Sequence, residues 1–364
     1  MKKLNVGIIG CGNISDIYLK NCPNYEYLNV IACSDLDREK AIEKAKEYRI
    51  SALKLDEMYA DKSIDIILNL TIPSAHAEVS LKALQSGKHV YLEKPLSISL
   101  EDAKKVIEMA NEKKLRVGVA PDTFLGGGIQ TCKTLIETGE IGKPIAATAF
   151  MMSQGPEGWH PNPDFFYQEG AGPLFDMGPY YLTALINLIG PVKRVTSSAQ
   201  MSLAERTITN DVRNGDKIRV NTPTHVAGIL DFESGAVGTL ITSFDIFGGS
   251  TLPRIEIYGT QGSMLVPDPN TFDGPIQIKK ARNESWEEVT LTHGNTANSR
   301  GIGLNDMAAA ILNGEEHRAS KEMAYHVVEI MQGMLTSSKT QQHYKLTSTC
   351  TIPKSLPSKR SECS

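Results

Sequence analysis

A lysine closes a buried-looking apolar run in the segment His89-Val90-Tyr91-Leu92-Glu93-Lys94-Pro95. An ammonium at the C-terminal end of such a strand is costly unless it is paired or employed. The plain alternative is a surface lysine in the turn before Pro95. A fixed cation at a strand end can stabilise an alkoxide developing on a reacting hydroxyl. Upstream, Gly10-Cys11-Gly12-Asn13-Ile14-Ser15 follows one apolar run and precedes a helix-like one. In that setting Gly10 and Gly12 make the tight turn and bring backbone close to a pyrophosphate, with Asn13 and Ile14 opening the helix. Ser15 stands where a third glycine is usual, which predicts slightly looser helix–strand packing.

Asp35 lies just past the second apolar run, about twenty residues on, where an acid binds the adenosine ribose 2′-hydroxyl. A carboxylate there repels a 2′-phosphate, so NAD is expected over NADP. Arg38 is the residue that would favour the phosphate, and Asp37 is read as a helix cap. Thr71-Ile72-Pro73 ends another apolar run, and ligands of open parallel sheets lie beyond such ends, so this turn is expected to pass over the cofactor. His76 follows inside the next helix, where packing and cofactor contact are equally open. Farther on, Asp176 and Tyr180 are four apart in a helical stretch and so share a face. Tyr181 is the rival aromatic. The loop Gly158-Trp159-His160-Pro161-Asn162-Pro163-Asp164-Phe165-Phe166-Tyr167 gathers aromatic and polar groups of the kind that bind sugars, and its length suits a lid. His160 titrates near neutral pH without help and is the competing proton shuttle. His225 is read as an edge-strand residue.

These residues need elements to hold them. Apolar strands at Leu4–Ile9, Leu28–Cys33, Ile64–Thr71, His89–Leu92 and Arg116–Ala120 alternate with helices at Ile14–Asn21, Asp37–Tyr48, Ala75–Ser86 and Ser99–Lys114. That alternation predicts an α/β, doubly wound parallel sheet of the Rossmann type over 1–121. From 122 to 345 helices at Gly128–Thr138, Pro173–Ile189, Leu304–Leu312 and Lys321–Ser337 frame hairpin-spaced strand runs. An α+β domain with a large, mostly antiparallel open-faced sheet is expected. The tail 346–364 reads as an extended arm or as disordered.

Bulk properties narrow the partners. With 364 residues two domains are the default, and 41% hydrophobic with 22% charged residues is ordinary globular composition. A net charge of −4 gives no electrostatic case for nucleic acid or an anionic membrane. No run approaches a membrane span. The six cysteines show no metal-ligand spacing, so no metal is expected and a cytoplasmic, reducing location is.

Taken together, Gly10-x-Gly12, Thr71-x-Pro73, His76, Glu93-Lys94-Pro95 and Gly170-Ala171-Gly172-Pro173-Leu174-Phe175-Asp176-Met177-Gly178-Pro179-Tyr180 resemble the glucose–fructose oxidoreductase/inositol dehydrogenase/rhizopine-catabolism (Gfo/Idh/MocA) family. The resemblance runs in order along nearly the whole chain. It implies NAD(P), hydride transfer to or from a carbinol carbon of a sugar, cyclitol or related polyol, and homodimers or homotetramers through the C-terminal sheet. By the same resemblance Lys94 lies beside nicotinamide and substrate, Asp176 orients, and Asp122 takes the place of a polar residue touching the carboxamide or substrate. Many members carry histidine where this chain has Tyr180. The departure resembles the branch with a tyrosine acid–base, and such a tyrosine needs a neighbouring cation, for which Lys94 is the candidate. The implied cofactor side comprises Gly10, Gly12, Asn13, Ile14, Asp35, Thr71, Ile72, Pro73, His76, Glu93, Lys94 and Asp122. The substrate side comprises Lys94, His160, Tyr167, Asp176 and Tyr180. Two other classes remain open at this point: an NAD-assisted glycoside hydrolase working through transient C3 oxidation, and a non-catalytic NAD- or sugar-binding sensor.

Overall fold

Strands buried on both faces read as unbroken apolar runs, and the first part of the chain is built from them. The structure is a computed structural model and describes residues 2–358. Strands β1 (Leu4–Ile9), β2 (Leu28–Ser34), β3 (Ser51–Ala52), β4 (Ile66–Asn69), β5 (His89–Leu92) and β6 (Val117–Val119) pair in parallel in the order β3-β2-β1-β4-β5-β6. Val6, Ile8, Ile66, Ile67, Leu68, Val90 and Leu92 are wholly enclosed. Between the strands run α1 (Ser15–Asn21), α2 (Arg38–Tyr48), α3 (Leu55–Ala60), α4 (His76–Gln85) and α5 (Leu100–Lys113). Asp37 caps α2 by accepting from the Glu39 N–H, and Ser99 caps α5 by accepting from the Asp102 N–H. The strand order reverses between β1 and β4, and the C-terminal edge there is where such sheets bind ligands.

The chain separates into two compact units, Met1–Leu125 with Ala297–Val328, and Gly126–Thr296 with Glu329–Ser364. A boundary at 121/122 with everything to 345 in the second domain therefore needs correction, because 297–328 returns to the first unit. Its ties explain why. The buried Asp122 carboxylate accepts from the Gly301 and Gly303 N–H groups at 2.8 and 3.0 Å. The Val119 N–H donates to the Ala319 carbonyl, and Arg116 pairs with Glu316.

The second unit holds α6 (Gly127–Glu137), β7 (Pro144–Met152), α7 (Gly172–Ile189), β8 (Val192–Gln200), β9 (Glu205–Thr207), β10 (Lys217–Arg219), β11 (His225–Phe232), β12 (Val237–Ser243), β13 (Ile255–Gly259), β14 (Gly262–Val266), β15 (Ile276–Lys280), β16 (Glu287–Val289) and β17 (Tyr344–Lys345). Nine of these strands, counted among the described residues, form one sheet in the order β16-β15-β14-β13-β7-β12-β11-β8-β17. All its pairs are antiparallel except β7 with β12. Alternate residues of β11 and β12, such as Val226, Leu230 and Leu240, are buried, whereas Ile229 and Val237 on the other face are about half exposed. β11 lies between β12 and β8, so His225 is not on an edge strand; its Nδ1 sits 2.9 Å from the Ser243 hydroxyl. The tail is an extended arm as far as it is described. Glu329 accepts from the Thr347 and Ser348 N–H groups, and the Leu356 N–H donates to Gln130. Residues 359–364 lie outside the described residues.

Candidate nucleotide and active site

In the first unit the C-terminal edge of the parallel sheet gathers five turns. Gly10 has φ +104°, and a Cβ there would lie 2.6 Å from the Leu70 carbonyl carbon and oxygen, so only glycine fits. At Gly12 a Cβ would meet no atom within 4 Å, which leaves backbone that a pyrophosphate can approach. Ser15 fills the third position without loosening the packing. It is fully buried, and its hydroxyl donates to the Gly12 carbonyl at 2.6 Å. Asp35 accepts from the Cys11 N–H at 2.7 Å and from the Asp37 N–H at 2.8 Å, which locks a carboxylate beside the glycine turn. Arg38 turns away and donates to the Ala52 carbonyl. Leu36 and Ile72 expose their side chains at 96% and 68% in the turns after β2 and β4. Leu36 was not singled out from the sequence; an apolar residue between Asp35 and Asp37 was the available signal. The glycine cradle, the fixed Asp35 and these two apolar surfaces fit a dinucleotide.

The β4 and β5 turns are stitched together. Asn69 accepts from the Thr71 N–H and hydroxyl and donates to the His76 carbonyl and the Ser80 hydroxyl. The Glu93 N–H donates to the Asn69 carbonyl at 3.0 Å. The Tyr18 hydroxyl donates to Glu93 Oε1 at 2.8 Å, and the Lys94 N–H donates to Glu93 Oε2 at 3.1 Å. Glu93 thus spends both carboxylate oxygens inside the protein, and the half-buried Lys94 stands on a fixed backbone.

Two sequence expectations change here. His76 is fully buried with Nδ1 2.7 Å from the Pro95 carbonyl and Nε2 3.0 Å from the Thr71 carbonyl, so it packs and has no surface left for a cofactor. Burial outweighs those two carbonyls and holds its pKa below the ordinary value. Asp122, expected near the nicotinamide carboxamide, is instead enclosed with its carboxylate on the Gly301 and Gly303 N–H groups. Burial raises its pKa to about 6, against the lowering effect of those two donors.

The sign of that shift is testable. Between about pH 4 and 6 the folded chain keeps a proton that an unfolded aspartate has released, so stability falls as pH rises through that window. Asp122→Asn keeps one oxygen able to accept from both N–H groups but carries no charge. The variant is therefore expected to lose this pH dependence and gain on wild type by on the order of 3 kcal/mol between pH 4 and 7 in urea titrations. Parallel stability–pH curves for the two proteins would contradict it.

In the second unit α7 carries Asp176 and Tyr180 one turn apart. Pro179 lies between them inside the helix and cannot donate to the Phe175 carbonyl. Tyr181, the alternative, lies wholly in the core with its hydroxyl on the Phe150 carbonyl, and Tyr180 is buried too, at 7% exposed. His160 is half-buried, with its ring edge-on to Trp159, Phe165 and Phe166 at 5.1–5.4 Å. Its Nδ1 accepts from the Asn162 N–H, which leaves the proton on Nε2 of the neutral ring. Burial lowers its pKa, and the Asn162 contact and the Asp176 charge oppose that. Tyr167, expected to line the substrate pocket, is fully buried under Arg206, whose guanidinium carbon is 5.4 Å from the ring centroid. Arg206 is itself buried; it pairs with Glu157 at 2.5 Å and Asp245 at 2.8 Å and donates to the Gln154 and Phe244 carbonyls. This cluster anchors the aromatic loop.

Residues 4–120 match the oxidoreductase family with an NAD-binding Rossmann fold, and residues 129–265 match the GFO/IDH/MocA C-terminal domain. The chain belongs to the Gfo/Idh/MocA family. Its relatives within the family include the scyllo-inositol 2-dehydrogenase (NAD(+)) of Bacillus subtilis, 26% identical over 72% of this chain and 74% of that one. The 1,5-anhydro-D-fructose reductase of Ensifer adhaerens is 24% identical over 77% of this chain and 81% of that one. A levoglucosan dehydrogenase solved with NADH and L-sorbose superposes with a TM-score of 0.82 at 21% identity, covering 95% of this chain and 99% of that one, and so shares the fold. As a Gfo/Idh/MocA member the chain is an NAD-binding oxidoreductase. No described helix is long and apolar enough to cross a membrane.

Proposed function

We propose that this enzyme transfers hydride between nicotinamide and a carbinol carbon of a sugar, cyclitol or related polyol, with Lys94, Asp176 and Tyr180 as its catalytic residues. The observation that carries the reading is the β5 end: Lys94 stands on a backbone fixed before it by Asn69 and Glu93 and after it by His76 on the Pro95 carbonyl, at the edge of the sheet that holds the glycine turn. When bound, the dinucleotide supplies the hydride acceptor for oxidation and the donor for reduction. Asn13, Ile14, Thr71, Ile72 and Pro73 border its place, and Asp35 takes the ribose hydroxyls. Arg38, the candidate partner for a 2′-phosphate, is held on the Ala52 carbonyl instead, which supports NAD over NADP.

In oxidation Tyr180 acts as phenolate, with Lys94 as the cation that favours that form, and takes the substrate hydroxyl proton while the carbinol carbon loses hydride and becomes a carbonyl. Lys94 lowers the energy of the oxygen as charge grows on it. Asp176, on the same face of α7, orients the hydroxyl. His160 is the residue to compare with Tyr180: as it stands, with Nδ1 on the Asn162 N–H, its Nε2–H can donate a hydrogen bond to substrate, and taking the hydroxyl proton would require Nδ1 to release Asn162 and the ring to change tautomer. The aromatic loop, with Trp159 69% exposed, offers ring faces for a polyol.

Incubating the protein with NAD and myo-inositol, scyllo-inositol, levoglucosan or D-glucose is expected to generate the reduced-cofactor absorbance with at least one of them, and more slowly with NADP. Absence of turnover across a wider set of aldoses and polyols, in both directions, would sink the reading. The relatives named above act, by their names, on a cyclitol and an anhydro sugar, which supports this substrate class. We further propose that the open face of the nine-stranded sheet, with Ile229 and Val237 exposed, joins copies of the chain into dimers or tetramers, which light scattering reads directly. Five free cysteines among the described residues support a reducing, cytoplasmic location, checked by cell fractionation.

A further inference from the structure

His76 is a buried histidine that the reaction does not use, and it joins two turns that the sheet alone leaves separate. The first, Thr71-Ile72-Pro73, follows β4, and the second, Glu93-Lys94-Pro95, follows β5. Its ring bridges them, with Nδ1 2.7 Å from the Pro95 carbonyl and Nε2 3.0 Å from the Thr71 carbonyl. The ring itself is fixed at its root, because the His76 carbonyl accepts from Asn69 at the end of β4. We propose that His76 is a positioning residue for Lys94, an inference that rests on the catalytic role assigned to Lys94 above.

The backbone around Lys94 is held at three points. The Glu93 N–H is on the Asn69 carbonyl, the Lys94 N–H is on the Glu93 carboxylate, and the Pro95 carbonyl is on His76. The first two lie on the strand side of Lys94. The third lies on the far side, where it holds the Pro95–Leu96 peptide one residue past Lys94 and so restrains the chain leaving Lys94. A neutral imidazole has one N–H, so it donates to one of its two carbonyls at a time. We take Nδ1, the nitrogen nearer its carbonyl, as the donor, to Pro95. His76 therefore matters to Lys94 through Pro95 more than it matters to the β4 turn through Thr71. A misplacement of about 1 Å in a reacting group is enough to cost ~100-fold in rate.

Two amide side chains separate the contacts. The NH₂ of asparagine can take the place of Nδ1 and keep the Pro95 carbonyl, whereas that of glutamine reaches the place of Nε2 and keeps Thr71. With the best substrate of the polyol panel, His76→Gln is expected to lower kcat about tenfold or more, and His76→Asn by less than about threefold. The dissociation constant for NADH should stay within about threefold in both. In the Lys94→Ala background His76→Gln should produce no further loss, since a residue that acts through Lys94 has nothing left to position. Amide hydrogen exchange on the folded proteins needs no substrate. Exchange at Lys94 and Leu96 should be about tenfold faster in His76→Gln than in His76→Asn, with the order reversed across 71–75.

Equal losses in the two variants, or a His76→Gln loss that persists in the Lys94→Ala background, would overturn the proposal. So would exchange at Lys94 and Leu96 that is no faster in His76→Gln than in His76→Asn. If instead Lys94→Ala alone left turnover intact, the reading of Lys94 would fall. The exchange experiment would still decide whether His76 holds that turn.

Discussion

Replacing Lys94 with alanine is expected to reduce kcat on the best polyol substrate about 100- to 1,000-fold while NADH affinity changes by less than about threefold. The size follows from what is removed. A cation placed where charge develops on the substrate oxygen acts only as that charge appears, so its loss falls on the transition state more than on binding. The sparing of cofactor affinity follows from the surroundings. The glycine turn, Asp35 and the β4 turn are held by contacts that do not involve the Lys94 side chain. The Lys94 N–H bond to Glu93 is made by backbone and survives truncation to alanine. Arginine is a poor substitute, because its planar fork is longer and disperses the charge over three nitrogens. Methylammonium added to the alanine variant should restore part of the lost rate, as a cation free to occupy the truncated space. An alanine variant with unchanged kcat, or one that loses NADH affinity as steeply as turnover, would remove Lys94 from the chemistry.

The sequence exposed the positions of the site better than the directions of its side chains. β5 and its lysine were legible because a strand covered on both faces must be apolar throughout, so the first charged residues mark its end. The glycine turn was legible for a similar reason, since Gly10 sits where Leu70 backbone leaves no room for a Cβ. For His76, where packing and cofactor contact were both open, the structure takes packing, and Asp122 and Tyr167 were misread in role. The partners that claim them are far along the chain: Pro95 for His76, Gly301 and Gly303 for Asp122, and Arg206 for Tyr167. No local pattern announces such partners. The same holds for the return of 297–328 to the first unit, which depends on Asp122 and on backbone pairing near Val119. The short α3 and the β9–β10 ribbon escaped because a few residues carry no measurable periodicity. Helix spacing places Tyr180, and not Tyr181, one turn from Asp176 on α7.

The largest expected loss of stability lies away from the nucleotide turn, at Arg206. Its side chain is 4% exposed and stands between Glu157 and Asp245, which are 7% and 6% exposed. Asp245 also accepts from the Thr224 hydroxyl at 2.6 Å, so one carboxylate has other support, whereas no hydrogen bond is seen at the second oxygen of Glu157. Arg206→Met keeps much of the aliphatic volume over Tyr167 but strands two carboxylates out of water. Removing one partner from a buried ionic cluster costs about 3–5 kcal/mol, mostly as desolvation that is no longer offset. For a unit of this size that corresponds to a fall in melting temperature of roughly 6–20 °C. The same reasoning predicts repair. Adding Glu157→Gln to Arg206→Met leaves a neutral amide in place of the less supported carboxylate, and is expected to recover more than half of the loss. Adding Asp245→Asn should recover less, because Thr224 already supports Asp245. The effect should also reach activity through the loop. Gln154 and Glu157 root the segment that carries Trp159 and His160, so KM for the polyol should rise in Arg206→Met at temperatures where the protein remains folded. Calorimetry of the four proteins tests the chain of argument: a melting temperature indifferent to Arg206→Met, or a second substitution that deepens the loss, would show that the cluster does not hold the loop electrostatically.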